Sequence, residues 1–345
     1  MSLIAGSYEK FIWGYKLKNP KPSSSQTLNL TPKFSYAAHL SSIKSVAVSG
    51  IVAASAASDD TIKLYDLATS SELGSILLES SLTSLSFFTP QSLSSFPRNL
   101  FAGSEDGSFS IFDVDPFVLL KTINVHKKGI NDVAVHCSGK LGLSVGRDSC
   151  LCMVNLVRGR KSFGCKLEKE ANIVEYFNNG GKFFMGFDDK ISVHDAEDAK
   201  LLGEFESSKR VLCAAPGENG LIFTGGEDRG VTAWDTVSGK VAYSIDGAHK
   251  SRVKGIVVLS KDNNSSATDN PYLLSSASSD GVIRVWDVRV TNKEKSKPLS
   301  EANTKSRLTC LAGSSFKFCD QLIMAYMICT GFTVAYVLPF SGALY

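Results

Sequence analysis

The chain has 345 residues, 43% of them hydrophobic and 21% charged, which is typical of a soluble globular protein and excludes a disordered one. Lysine and arginine number 37 and aspartate and glutamate 34, so the net charge of +3 does not by itself indicate nucleic-acid binding. Eight cysteines follow no paired framework, and the first residues form no apolar signal segment. These features predict a reducing compartment, cytosolic or nuclear.

The first segment, LIAGSYEKFIWGYKL (3–17), has the pattern of two adjacent strands joined by a polar turn. A third strand, QTLNLTPKF (26–34), follows after a Ser/Pro-rich loop. The segment resembles the second to fourth strands of the repeat that comes next in the chain. No strand precedes it that could serve as the first.

One pattern then recurs six times: a strand of small residues, an acidic turn, and an alternating strand that ends on Asp or Asn, as in SASSDGVIRVWD. In each copy an Asp stands seven residues before that end; these are Asp59, Asp106, Asp148, Asp188, Asp228 and Asp280. An Asp in a tight turn accepts hydrogen bonds from nearby backbone N–H groups. Each copy reads as four short strands that cannot bury both faces alone, so the repeats are predicted to stack as blades in a ring.

Three copies carry a histidine just before their first strand, namely His39, His126 and His249. The turn carboxylate of the same copy can hold the imidazole, and in the last copy Ser276 and Trp286 could complete a buried His–Ser–Asp–Trp network. A catalytic triad occurs once and needs an exposed nucleophile beside an oxyanion hole, so the repetition favours a structural role. The sequence also lacks a P-loop, a GxSxG elbow and an HExxH motif. We therefore expect a protein that is not an enzyme, with no cofactor and no small-molecule substrate.

Cys150 and Cys152 raise the alternative of a metal site, because strand alternation puts both on one side of a strand. No second Cys/His pair with zinc spacing accompanies them, so buried thiols are the favoured interpretation.

Near the other end, RLTCLAG (307–313) has the pattern of the first strand of a repeat. Residues 308–312 are predicted to complete the blade begun at Leu3, which removes an open sheet edge. The expected fold is all-β: a seven-bladed WD40 β-propeller over residues 1–315, closed by N- and C-terminal strands that share one blade. A closed ring gives no reason to expect more than a monomer.

The remaining residues, 316–345, form an atypical apolar tail without any charge from Gln321 onward. Three interpretations stay open: a membrane anchor, extra strands packed on the propeller, or the end of a truncated or alternatively spliced product. Frequent β-branched and aromatic residues, the interruption at Gly331 and the lack of a following basic flank argue against an anchor, and the last interpretation is favoured.

Several strings resemble the p21-activated kinase-interacting protein family: IAGSYEKFIWGYKL, SGKLGLSVGRDSCLCMVNLVRGR, SSASSDGVIRVWDV and SRLTCLAG. The resemblance covers about residues 3–315. It implies a nuclear or nucleolar scaffold in biogenesis of the large (60S) ribosomal subunit, contacting pre-ribosomal proteins and rRNA. It implies, as the alternative, a negative regulator that binds a p21-activated kinase. Relatives typically continue into a Lys-rich tail, which this chain replaces with its apolar one.

Three arginines, Arg210, Arg252 and Arg307, occupy the same position directly before the first strand of three successive blades. Other basic residues expected on the same rim are Lys209, Lys250, Lys305, Arg229, Lys127 and Lys128. Because guanidinium pairs bidentately with carboxylate or phosphate, this arc is predicted to contact an acidic protein segment or rRNA. Ordinary solvated charges remain the equal alternative. A second basic cluster, Arg158, Arg160 and Lys161, is expected to be a solvated turn on the opposite rim.

Overall fold

The computed structural model describes residues 1–18, 28–90, 96–259, 273–288 and 297–314. These residues form seven four-stranded antiparallel sheets, so the predicted all-β, seven-bladed propeller is confirmed. The tail 316–345 lies outside the described residues, as do the Ser/Pro-rich loop 20–26 and the polar segment 261–271, which the sequence identifies as a loop inserted in the seventh blade.

The strands are numbered in chain order. Those of the first three blades, apart from the last strand of the chain, are β1 (Ser2–Ser7), β2 (Phe11–Lys18), β3 (Asn29–Ala37), β4 (Ile43–Ser49), β5 (Val52–Ala57), β6 (Thr61–Asp66), β7 (Ser71–Leu77), β8 (Leu82–Phe88), β9 (Asn99–Ser104), β10 (Ser108–Val114) and β11 (Phe117–Asn124). Those of the fourth and fifth blades are β12 (Ile130–Val135), β13 (Leu141–Gly146), β14 (Cys150–Asn155), β15 (Arg160–Lys166), β16 (Ile173–Tyr176), β17 (Lys182–Gly186), β18 (Lys190–Asp195) and β19 (Leu201–Glu206).

The rest of the ring comprises the sixth and seventh blades and the strand that closes the first. Its strands are β20 (Val211–Pro216), β21 (Leu221–Gly226), β22 (Val231–Asp235), β23 (Lys240–Ile245), β24 (Val253–Leu259), β25 (Leu273–Ser278), β26 (Val282–Asp287), β27 (Ser300–Asn303) and β28 (Leu308–Ser314). A single turn of 3-10 helix, Glu218–Gly220, precedes β21.

Two ends of the chain build the first blade. Its sheet runs β28-β1-β2-β3, and β28 pairs antiparallel with β1 from Ser2 opposite Ser314 to Gly6 opposite Cys310. The predicted closure of the ring by a C-terminal strand is therefore confirmed. The closing strand also lies close to β24 of the seventh blade. A Cβ atom placed on Gly255 would lie 2.5 Å from Cβ of Leu311, so the approach of the two strands requires glycine.

The hydrophobic core is divided among the seven gaps between neighbouring blades. Seven apolar clusters occur in the described residues, and each draws its members from two adjacent blades. In the cluster between the first and second blades, for example, Ile4 and Ile12 pack with Ile43 and Tyr65. A single blade therefore cannot bury its faces by itself, and the ring folds because each sheet covers the next.

The innermost strands line the channel and fix two rims. Inner strands of neighbouring blades contact each other all the way round, from β4 through β8, β12, β16, β20 and β24 to β28 and back to β4. We call the end at which these strands begin the upper rim, and the end at which they finish the lower rim. Because strands within a blade alternate in direction, the turns that carry the repeated Asp also lie on the upper rim.

Candidate partner-binding surface

Two of the predicted histidines are held by the turn carboxylate of their own blade. His126 Nδ1 lies 2.9 Å from Asp148 Oδ1 and its Nε2 lies 2.9 Å from Ser144 Oγ. His39 Nδ1 lies 3.2 Å from Asp59, and its Nε2 lies 2.7 Å from the hydroxyl of Ser55. Burial lowers the pKa of His39, with the Asp59 carboxylate opposing the effect.

The turn carboxylates also bind backbone N–H groups of the preceding connection. The amide of Leu40 donates to Asp59 at 2.7 Å, and the amide of Lys127 donates to Asp148 at 2.9 Å. Burial of Asp59 raises its pKa, but hydrogen bonds from Thr61 and Leu40 outweigh this, so the pKa is lowered overall. Each carboxylate thus joins the turn of its blade to the chain that enters the inner strand.

The third histidine is part of a longer chain of hydrogen bonds. Trp286 Nε1–H donates to Ser276 Oγ at 2.9 Å, and Ser276 Oγ lies 2.8 Å from His249 Nε2. Since the indole is only a donor, Ser276 Oγ accepts from Trp286, and this hydroxyl links the indole to the imidazole. His249 Nδ1 lies 3.6 Å from Asp280 Oδ2, longer than a hydrogen bond. Burial lowers the pKa of His249 to about 4, and Asp280 opposes this shift.

The other three turn aspartates have no histidine beside them. Asp106 accepts from the amide of Ser108 at 2.9 Å, and Asp228 accepts from the amide of Gly230 at 3.2 Å. Asp188 differs, because its carboxylate binds side chains of other elements. Its Oδ1 lies 2.9 Å from Nε of Arg210, which belongs to the next blade.

The three aligned arginines lie on the upper rim of the sixth, seventh and first blades, which are consecutive in the closed ring. All three side chains are exposed. Arg210 is half exposed in its ion pair with Asp188. The guanidinium of Arg307 lies over the ring of Tyr8, 5.2 Å from its centroid, and the Arg307 amide donates to Glu9 at 2.9 Å. These contacts hold two of the three groups in place without covering them.

The predicted lysines are all exposed, but they do not all lie next to the three arginines. Lys209, Lys250 and Lys305 lie in the same connections as the arginines, and Arg229 lies in the upper turn of the sixth blade. Lys127 and Lys128 lie on the fourth blade, and the fifth blade separates them from Arg210.

Lys254 is a basic residue that the sequence reasoning missed. It is the second residue of β24, half-buried beside Arg252, and burial lowers its pKa, with the positive charge of Arg252 adding to the effect. The charge of Arg210 lowers the pKa of Lys254 further, and the charge of Glu227 raises it. The sixth and seventh blades therefore bring their basic groups together at the mouth of the channel. We define the arginine arc as Arg210, Arg252, Lys254 and Arg307.

An acidic pair in the channel wall was also missed. Asp132 of β12 accepts from the hydroxyl of Ser84 at 2.7 Å and from the amide of Val174 at 3.0 Å, so it joins three neighbouring inner strands. Burial raises the pKa of Asp132 to about 6. Burial raises the pKa of Glu175 on β16 to about 8, and the nearby Asp132 adds to the shift. In the sequence, the only sign of this pair is that each acidic residue lies in an otherwise apolar strand.

Cys150 and Cys152 lie on β14, half-buried and buried respectively, and Cys152 Sγ lies 3.4 Å from the carbonyl oxygen of Val125. No group of three or more His, Cys, Asp or Glu side chains suited to a metal occurs in the described ranges. Within the same ranges, no helix has the length and apolar character needed to cross a membrane.

Seven four-stranded blades and repeated His–Asp turns define a WD40 propeller, a scaffold class that binds partners at its rims. The family described as "WD domain, G-beta repeat" matches residues 117–155 and 240–287. Each match begins at the outer strand of one blade, β11 or β23, and continues through the first three strands of the next blade, so a sequence repeat is shared between two blades.

The chain belongs to the p21-activated protein kinase-interacting protein family. It is 31% identical over 312 residues to "p21-activated protein kinase-interacting protein 1-like" of Danio rerio, covering 90% of this chain and 80% of that protein. It is 31% identical over 315 residues to "p21-activated protein kinase-interacting protein 1" of Homo sapiens, covering 90% and 76%. It is 28% identical over 289 residues to "Shk1 kinase-binding protein 15" of Schizosaccharomyces pombe, covering 83% and 77%.

Proposed function

We propose that this chain is a non-enzymatic scaffold in the biogenesis of the large ribosomal subunit, and that the arginine arc is its principal contact with pre-ribosomal proteins or rRNA. Membership of the p21-activated protein kinase-interacting protein family supports the scaffold role, because the family resemblance found in the sequence implies that role. The choice of this surface as the contact rests on the three arginines, which lie on consecutive blades. The repeated His–Ser–Asp sets are buried between strands, which supports a structural role for them.

The arc has the chemistry of an anion-binding surface. Its guanidinium groups are exposed, and the contacts of Arg210 with Asp188 and of Arg307 with Tyr8 reduce the freedom that each side chain loses on binding. Exposed ion pairs contribute little to stability, so a partner carboxylate or phosphate can replace Asp188 at small cost.

The test is a charge reversal, Arg210→Glu/Arg252→Glu/Arg307→Glu, followed by sedimentation of lysates with large-subunit precursors. We expect the variant to leave the precursor fractions while its thermal unfolding stays cooperative. A matched control reverses three exposed charges on the lower rim, Arg158→Glu/Arg160→Glu/Lys240→Glu, and should sediment as the unmodified chain does. Equal sedimentation of all three proteins contradicts the assignment.

Lys161 is left out of this control for a structural reason. The sequence placed it in a solvated turn, but its Nζ donates to the carbonyl oxygen of Val125 at 2.8 Å. Lys161 is exposed, as expected of a solvated cluster, but it lies in β15 and its side chain also satisfies a backbone acceptor.

Binding of a p21-activated kinase is the second candidate function. The names of the relatives from Danio rerio and Homo sapiens describe interaction with such a kinase, and that of the Schizosaccharomyces pombe relative describes binding to the Shk1 kinase. Affinity purification of the full chain separates the candidates. Recovery of large-subunit precursors supports the scaffold role, and recovery of a kinase without them supports the alternative.

We further propose a nuclear and nucleolar location. Tagged versions of the full chain and of a chain ending at Ser315 test this together with the tail. Nucleolar signal from both supports the proposal and makes the tail dispensable. Membrane association of the full chain alone would identify residues 316–345 as an anchor and contradict the proposal.

A further inference from the structure

The sixth blade has a cavity of about 420 Å³ on the outer side of its upper rim. Its lining comes from the entering connection, the turn and strands β22 and β23. Ser207, Asp228, Gly230, Thr232, Trp234 and Asp246 are among the lining residues. We call this cavity the blade-six pocket.

The pocket coincides with the position that histidine occupies in three other blades. His39, His126 and His249 each stand four residues before the first residue of their inner strand, Ile43, Ile130 and Val253. In the sixth blade the residue four positions before Val211 is Ser207. A hydroxymethyl group thus stands where an imidazole stands in the other three blades.

Two of the groups found around His249, an aspartate and a tryptophan, are nevertheless present in the sixth blade. Asp228 is the turn aspartate, equivalent to Asp280. Trp234 Nε1–H donates to Thr224 Oγ1 at 2.9 Å, just as Trp286 donates to Ser276 at 2.9 Å. The Asp228 carboxylate and the Trp234 indole therefore line the pocket, whereas the Thr224 hydroxyl lies outside its lining and donates to the carbonyl oxygen of Thr232 at 3.4 Å.

The remaining blades have other residues at this position. Leu78 stands there in the third blade and packs against an apolar cluster, and Thr304 stands there in the first blade, 4% exposed. In the fifth blade the residue at this position is the exposed Lys169. In the seventh blade Arg284 also covers the site, donating to the carbonyl oxygen of Ala248. The equivalent of Arg284 in the sixth blade is the shorter Thr232, which leaves the pocket open.

We propose that the blade-six pocket binds the histidine side chain of a partner protein, with the carboxylate of Asp228 accepting from one ring nitrogen. The chain itself supplies the argument for imidazole, because at three equivalent sites that group lies within 3.6 Å of a turn carboxylate. Asp246 adds a second carboxylate at the edge of the pocket and favours a ligand that donates hydrogen bonds. The proposal holds whether the partner is pre-ribosomal or a kinase.

The first experiment titrates the full chain with 4-methylimidazole and follows the indole N–H signals by NMR. The chain has three tryptophans, Trp13, Trp234 and Trp286, and the variant Trp234→Phe assigns the signal in question. We expect a saturable shift of the Trp234 signal only, with a dissociation constant on the order of 1 mM for so small a ligand. Trp286 is an internal control, because His249 already occupies its site.

Two variants then test whether the position of Ser207 decides binding. Ser207→His places an imidazole in the pocket, so it should abolish the Trp234 shift and raise the melting temperature. Val237→His adds the same group at a site 83% exposed on the lower rim, and should leave both unchanged. Binding that persists in Ser207→His overturns the proposal, as does an equal shift of all three indole signals or no shift at all.

A second titration asks whether the pocket accepts the side chain of a protein. N-acetylhistidine methylamide should give the same Trp234 shift as 4-methylimidazole, and N-acetylalanine methylamide and toluene should give none. If the blocked histidine fails to bind, or toluene binds equally well, a partner's histidine is not the ligand. These titrations use no ribosomal or kinase partner, so their failure is distinguishable from failure of the proposed function.

Discussion

His249 Nδ1 and Asp280 Oδ2 lie 3.6 Å apart, whereas the equivalent atoms of His126 and Asp148 lie 2.9 Å apart. The His249 nitrogen is buried and has no hydrogen-bond partner. A hydrogen bond to a carboxylate favours the charged imidazole, so its absence leaves burial less opposed, and burial lowers the pKa of the ring to about 4. In the seventh blade the imidazole is therefore bonded to Ser276, and the Asp280 carboxylate binds the amide of Lys250 at 2.9 Å instead of the ring.

Replacement of His249 by leucine, the residue found at this position in the third blade, should make stability less dependent on pH. The folded-state pKa of His249 is below the unfolded value of about 6.5. The unfolded chain therefore binds more protons between these values, and the intact protein loses stability as the pH falls from about 6.5 to 4.

At pH 7.5 the His249→Leu variant should be less stable by about 1–3 kcal/mol, because Ser276 loses its partner. The deficit should shrink toward pH 4.5, since leucine takes up no proton on unfolding. Urea unfolding at four pH values measures both effects. Parallel pH profiles for the two proteins would contradict the prediction.

Glu175→Gln should stabilise the protein in alkaline conditions. The pKa of Glu175 is raised to about 8, so the folded chain keeps a proton that the unfolded chain releases. This contribution to stability is complete below about pH 4.5 and is lost as the pH rises through 8. Glutamine resembles the protonated acid, so the melting temperature should rise at pH 8.5 and change little at pH 5.

Asp132→Asn provides the companion test for this pair. Removing the charge of Asp132 should lower the pKa of Glu175, since Asp132 is one of the causes that raise it. The alkaline loss of stability should then begin at a lower pH, which a titration of the Glu175 carboxyl signal by NMR measures directly. An unchanged midpoint would show that burial alone sets the pKa of Glu175.

Gly255→Val should weaken the closure of the ring between the seventh and first blades. The added Cβ would lie 2.5 Å from Cβ of Leu311, and overpacking of this kind costs about 1–3 kcal/mol. Gly203→Val on the outer strand β19 is the control, because the nearest atom to its Cβ lies 4.0 Å away. Its free energy of unfolding should change by less than about 0.5 kcal/mol. Similar losses in both variants would contradict the close approach of the two inner strands.

The number of blades was predictable because each repeat carries its own turn signal. The constant spacing from Asp59, Asp106 or Asp280 to the end of the following strand marks each copy, and the match of 308–312 to other first strands predicts the closure. Such signals are local in the chain, since turn chemistry and strand alternation depend on residues only a few positions apart.

The contacts between blades were not predictable in this way. Asp132 looked like one polar residue in an apolar strand, and only the ring places it between Ser84 and Val174. Lys161 was expected to be a solvated cation in a turn, and only the structure shows that its Nζ lies 2.8 Å from the carbonyl oxygen of Val125. Both depend on partners more than thirty residues away, a distance that no local pattern spans.

The sequence by itself therefore determined the architecture: seven blades, their order, the closing strand and the turn that each Asp belongs to. Only the tertiary structure decided which of these repeated positions are filled and which are open. Ser207 is an unremarkable serine in the chain, and the pocket beside it exists because the blade preserves Asp228 and Trp234 around a missing imidazole. The physical reason is that periodicity fixes backbone geometry, whereas cavities and buried charges depend on the volume and polarity of side chains that meet from distant blades.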